Sequence, residues 1–99
     1  MAQTLSGVAY IGGVCAEEKV GVAEDEPYTF SGVHTLAHEL GHLLGADHDS
    51  AMDSLNISGY PSAERCSWKD GFLMSYYDHY RNRYRLSNCS KEQIQFMYK

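Results

Sequence analysis

The sequence predicts an α+β fold, and three observations carry that expectation. Two short runs of small and β-favouring residues precede position 27, an amphipathic helix period runs between Gly32 and Ala46, and a capping-box spacing opens a second helix at Ser90. With 99 residues, of which 43% are hydrophobic, the chain suffices for one small domain. A chain of that size has a modest core and is often stapled by a metal or a disulfide.

The first element is LSGVAYIGGV, Leu5 to Val14, where Val8, Tyr10 and Gly12 alternate as in a strand with glycine interruptions. It reads as an edge-type strand. After the charged turn Glu17-Glu18-Lys19, the run VGVAED reads as a second, more buried strand beside the first, and Pro27 disfavours its continuation. Val33, Leu36, Ala37, Leu40, Leu43 and Leu44 then recur at helical spacing, with Ser31 or Thr29 as the cap. Gly45 sits where the pattern ends, and glycine readily takes the backbone conformation that stops a helix. From Asp47 to Asp70 the sequence is polar and turn-rich, an irregular loop. The last segment, SKEQIQFMYK, pairs Ser90 with Gln93 as a capping box and offers Ile94, Met97 and Tyr98 as a buried face. There is no internal repeat and no low-complexity tract.

The formal charge of -5 argues against a nucleic-acid partner, because phosphate binding is driven by clustered Lys and Arg. His79, within YYDHYRNRYR, is assigned on the same ground to a pocket wall or an exposed loop. No stretch approaches the roughly 20 apolar residues of a membrane span, and no signal peptide is visible at the start. Three cysteines, Cys15, Cys66 and Cys89, allow one internal disulfide and leave one thiol over. Two N-glycosylation triplets, Asn56-Ile57-Ser58 and Asn88-Cys89-Ser90, fit an extracellular setting with slight weight.

The chemistry concentrates between His38 and Asp49. His38 and His42 are one helical turn apart, so both imidazoles project from one face and can grip one ion. Zinc suits imidazole nitrogen, and a catalytic site needs three protein ligands and an open position. His48 lies beyond the helix face, but the break at Gly45 lets the chain swing back to supply the third ligand. Glu39 follows the first ligand and flanks the open position. There it acts as general base toward a water whose pKa the metal lowers toward roughly 7, and it then returns the proton to the leaving amine. The pattern HExxHxxGxxHD should arise by chance in fewer than roughly one in 10^5 chains of this length. His34, one turn before His38, has no further donors nearby and is read as a surface residue.

HELGHLLGADHD resembles the metzincin zinc-peptidase signature, and the aspartate after its third histidine resembles the reprolysin or adamalysin branch. The resemblance implies a downstream Met-turn, which GFLMSYY supplies with Met74 as the apolar base beneath the metal. GVAYIGGVC is similar to the family's substrate-pairing edge strand, and KVGVAED to the strand that follows it. An extracellular protein or peptide substrate would accordingly add along that edge. The chain then corresponds to the C-terminal part of a metzincin catalytic domain: edge strand, second strand, active-site helix, irregular Met-turn region and C-terminal helix. A full reprolysin domain is roughly twice as long, so positions 1–99 are expected to be a partial catalytic domain whose missing upper subdomain precedes Leu5. The resemblance also implies pairing of Cys66 with Cys89 and of Cys15 with a cysteine beyond this chain. GFLMSYYD and RLSNCS look most like salivary reprolysins of blood-feeding arthropods such as ticks.

Tyr76 departs from the reprolysin pattern. Met-Ser-Tyr is more like serralysins and astacins, whose tyrosine is an extra zinc ligand or an oxyanion stabiliser, and a pocket-wall tyrosine is the other reading. Asp49 is expected to anchor the Met-turn region by hydrogen bonds and not to touch metal. The functional expectation is a secreted, extracellular zinc endopeptidase with His38, His42 and His48 as ligands and Glu39 as base. The alternative is a secreted zinc-holding binding module or decoy without peptidase activity.

Overall fold

The computed structural model describes residues 2–3, 7–9, 11–13, 21–23, 31–51, 57–75 and 81–98. Among them the regular structure is essentially helical. Helix α1 spans Ser31–Leu44 and helix α2 spans Asn88–Met97, 14 and 10 residues, with a 3-10 turn at Trp68–Asp70 between them. Extended backbone is confined to β1 (Ala2–Gln3), β2 (Gly7–Ala9) and β3 (Gly21–Ala23), none longer than 3 residues. The α+β expectation, with a long edge strand over Leu5 to Val14 and a second strand over VGVAED, is corrected accordingly. Glycine and alanine fill these runs and offer little side chain for cross-strand packing, so the extended pairing stays short.

The edge position is corrected as well. The strand order is β1-β2-β3, antiparallel throughout, with Ala2 opposite Ala9 and Val8 opposite Val22. β2 is the middle strand and is paired on both sides, so it presents no open edge to which a peptide substrate could add. The expected mode of substrate binding along this strand is therefore overturned.

Helix α1 lies against β2 and β3. Its apolar residues divide, for Ala37 packs on the core and Leu43 and Leu44 are half-buried. Val33, Leu36 and Leu40 are 57%, 54% and 47% exposed, whereas His38, Glu39 and His42 are buried. The apolar spacing marked a helix but not its inner face, because that face carries the polar site.

Helix α2 begins earlier than the Ser90 capping box suggests. Ser87 is the N-cap, and its hydroxyl accepts a hydrogen bond from the Ser90 amide. Ser90 and Gln93 thereby move inside the helix and are fully buried beside Cys89, while Tyr98 is exposed. The small core consists of Ala46, Leu73 and Met74, with Ala37, Leu86 and Ile94 packed around it.

Cys66 and Cys89 form a disulfide across a sequence separation of 23, which ties the loop before the 3-10 turn to the first turn of α2. Replacing both by alanine is expected to cost about 3 kcal/mol through the freed unfolded-state loop. Denaturant midpoints of the two proteins measure this, and a loss below about 1 kcal/mol would contradict it. Cys15 lies outside the described residues. No described helix is long and apolar enough to cross a membrane.

Candidate metal centre

Helix α1 ends in a way that builds the site. The Gly45 amide donates to the His42 carbonyl and the Ala46 amide to the Gly41 carbonyl, both at 3.0 Å, a Schellman-type closure with Gly45 at φ +123°. A side chain at Gly45 would also collide with Met97 of α2. The reversed chain is then clamped. Tyr60 donates its hydroxyl to the Gly45 carbonyl at 2.6 Å, and the Asp47 amide donates to Gln93 Oε1 at 2.9 Å. Next, the Asp49 amide donates to the Met74 carbonyl at 2.9 Å. His48, fixed between these anchors, faces back toward α1.

The three histidines meet through their Nε2 atoms. The separations are 3.1 Å between His38 and His48, 3.2 Å between His42 and His38, and 3.2 Å between His42 and His48. Two nitrogens bound to one tetrahedral zinc at the usual 2.0–2.1 Å stand about 3.3 Å apart, so this triangle fits a single zinc ion. The tautomers fit too. His38 Nδ1 donates to the Leu73 carbonyl at 2.6 Å and His42 Nδ1 to the Ala46 carbonyl at 2.8 Å, which leaves each Nε2 lone pair aimed at the shared centre. The lone pairs of His38 and His42 converge in a buried pocket, where they repel one another unless a proton or a cation lies between them. His38, His42 and His48 thus form a zinc-binding cluster, and all three are buried.

Burial also favours the uncharged, ligating form. It pushes His42 down to about 3, a drop that the hydrogen bond to Ala46 opposes and the neighbouring His38 and His48 deepen. His48 is lowered to about 4, first by burial and then by His38, with Asp47 opposing. For the metal-free protein the linkage has a definite sign. Below the ordinary histidine value of 6.5 the unfolded chain takes up protons at these positions that the folded chain refuses. The metal-free protein is therefore expected to lose stability steadily as pH falls from about 6.5 toward 4. Denaturant midpoints across that range check this, and a midpoint unchanged or rising toward acid would contradict it.

The turn that carries Met74 packs against α1, and Met74 is 0% exposed. Met74 packs against Gly41, where any Cβ would collide with its Sδ. Sequence reasoning passed over Gly41, although an interior helix glycine, about 1 kcal/mol worse than alanine, signals a close approach. Glu39 is 2% exposed and sits on α1 immediately after His38. Asp49 is also buried. Its Oδ1 accepts from Ser87 Oγ at 2.7 Å, and burial raises its carboxyl against the pull of the Ser87 and Ser90 hydrogen bonds. Its side chain thus points to the cap of α2 while its backbone holds the Met74 turn. His34 is half-buried with its ring edge-on to Tyr84 at 5.5 Å. Tyr76 and His79 lie outside the described residues.

Gln93 was read only as half of a capping box. It is fully buried and uses both ends of its amide, with Nε2 donating to the Pro61 carbonyl at 2.9 Å while Oε1 holds the Asp47 amide. Gln93→Leu is expected to weaken zinc binding about tenfold by leaving the Asp47 amide buried and unsatisfied next to His48. Competition with a chelator of known affinity measures the change, and equal affinities would exclude the clamp.

A buried histidine triad on a helix and its return turn, with a glutamate beside the first ligand, defines the class as a zinc-binding protein of the metallopeptidase type. Over residues 1–99 the chain matches the metallo-peptidase family M12B, reprolysin-like, and it belongs to that family. It is 44% identical over 92 residues to "A disintegrin and metalloproteinase with thrombospondin motifs like" of Bombyx mori, covering 86% of this chain and 13% of that protein. A venom metalloproteinase, antarease-like, of Tityus trivittatus is 36% identical over 94 residues, covering 93% of this chain and 24% of that protein. A zinc metalloproteinase/disintegrin of Bitis gabonica is 36% identical over 89 residues, covering 88% and 24%. The chain therefore spans between 13% and 24% of the length of these relatives.

Proposed function

We propose that the protein carrying this chain is an extracellular zinc-dependent endopeptidase, and that positions 1–99 supply the metal-binding part of its catalytic domain. The observation that carries this reading is the placement of Glu39 directly after a ligand of a triad dimensioned for one zinc ion. When bound, zinc polarises a peptide carbonyl and acidifies water, as in other hydrolytic zinc sites. Glu39 takes a proton from the attacking water and hands it to the leaving amine nitrogen. His38 and His42 are held in register by the Leu73 and Ala46 carbonyls, and His48 by the clamped turn, so the triad keeps its shape while Glu39 changes protonation. Met74, fully buried and packed against Gly41 of α1, is assigned the role of apolar floor under the ligands. Relatives described as venom metalloproteinases support the extracellular setting. Within the family, GFLMSYYD and RLSNCS carry the proposed likeness to tick salivary reprolysins.

A second reading has an observation in its favour. Among the described residues β2 is paired on both sides, so the strand expected to receive a peptide presents no open edge. On that reading the chain is a zinc-holding module without peptidase activity. Hydrolysis of a broad-specificity fluorogenic peptide by the purified protein, with and without chelator, separates the two. Chelator-sensitive cleavage supports the peptidase, and one bound zinc without cleavage supports the module.

A further inference from the structure

The triplet Asn88-Cys89-Ser90 opens helix α2, and the fold accounts for two of its three residues. Cys89 is 0% exposed in the disulfide with Cys66. Ser90 is 0% exposed, with its amide on the Ser87 hydroxyl and its own hydroxyl 3.3 Å from that same oxygen. Asn88 is different. It is exposed on the first turn of the helix, and its side chain is engaged in no hydrogen bond or ion pair among the described residues. It opens onto a surface cavity of ≈ 760 Å³ that Phe72, Tyr84, Arg85 and Lys91 also line. Tyr84 is 54% exposed, an apolar ring with a polar tip that suits the mixed apolar and hydroxylated faces of a saccharide.

We infer that Asn88 is an N-glycosylation site whose sugar lies over the cavity edged by Tyr84, and that its occupancy is set by a race with the Cys66–Cys89 disulfide. The inference rests on the extracellular reading given above. In the transfer, the Asn88 side-chain nitrogen forms a bond to the anomeric carbon of a lipid-pyrophosphate-linked oligosaccharide. The bond from that carbon to the pyrophosphate oxygen breaks, the lipid pyrophosphate leaves, and the amide gives up one proton. The transferase must reach the serine hydroxyl as well as the asparagine, and in the folded chain Ser90 is sealed on the inner face of α2. Transfer must therefore precede closure of the disulfide and winding of the helix. A bulky polar sugar is tolerated afterwards because Asn88 itself faces solvent.

The test is site occupancy in the total pool, cells plus medium, of the whole protein made in a eukaryotic secretory host. Enzymatic deglycosylation in heavy-oxygen water followed by peptide mass analysis reads each site. Partial occupancy is expected at Asn88 and none in Asn88→Gln. In Cys66→Ala, with the competing disulfide gone, occupancy should rise by about twofold or more, because disulfide formation takes seconds or longer and competes with transfer on that scale. The reading does not require that variant to fold, since transfer comes first. An unmodified Asn88 in both the wild type and Cys66→Ala overturns the inference. Sugar at Asn56, or wild-type protein in the medium, would in that case leave the extracellular reading standing; absence of both would bring it down too.

Discussion

Replacing Glu39 by glutamine is expected to leave zinc content unchanged and to lower peptide hydrolysis by about 10^2- to 10^4-fold, the usual contribution of a positioned general base. The reasoning is geometric. Glutamine matches glutamate in size, so the 2% exposed pocket beside His38 stays filled and the Nε2 triangle is undisturbed. An amide has no basic lone pair that can take the proton of water, so the step assigned to Glu39 is lost while ligation is kept. A rise in KM alone, with kcat preserved, would show that the residue shapes binding and does not move a proton. Turnover equal to the wild type would remove Glu39 from the mechanism.

Replacing His48 by alanine is expected to weaken zinc binding by roughly 10^2- to 10^3-fold, one ligand's share of the affinity of a protein zinc site. The two remaining histidines still sit one turn apart on α1, but nothing closes the triangle from the other side. The second consequence is structural. The core around Ala46, Leu73 and Met74 is small, and zinc binding stabilises the folded state by an amount that grows with the logarithm of free zinc over its dissociation constant. Thermal midpoints with and without excess zinc should therefore diverge in the wild type and converge in His48→Ala. A variant that holds zinc as tightly as the wild type would show that the third ligand lies elsewhere.

The sequence displayed the cluster and hid much of its setting. Four-residue spacing on a helix, a glycine stop and a histidine beyond it are local features, and zinc coordination constrains them tightly enough to be read in one dimension. The sheet was misread because a strand's place in a sheet is decided by its partners. The pairing with Gly21–Ala23 was expected, but nothing local in GVAYIGGV announces that Ala2–Gln3 flanks it on the other side. The inner face of α1 was not legible for a related reason. Apolar periodicity assumes that the buried face is the oily one, and around a buried metal cluster the buried face is polar. Gln93 and Tyr60 escaped notice because their partners, Asp47 and Gly45, are 46 and 15 residues away in sequence. Gly41 was the one such residue with a visible signal, an unfavourable glycine in mid-helix.

The measurement that bears most directly on the zinc triad is X-ray absorption at the zinc edge of the purified protein, with metal content determined on the same sample. One zinc per chain is predicted, with an all-nitrogen and oxygen first shell at about 2.0–2.1 Å and the outer-shell scattering of three imidazoles. A sulfur neighbour at about 2.3 Å, fewer imidazoles, or no stoichiometric zinc would contradict the assignment of His38, His42 and His48 as the metal site.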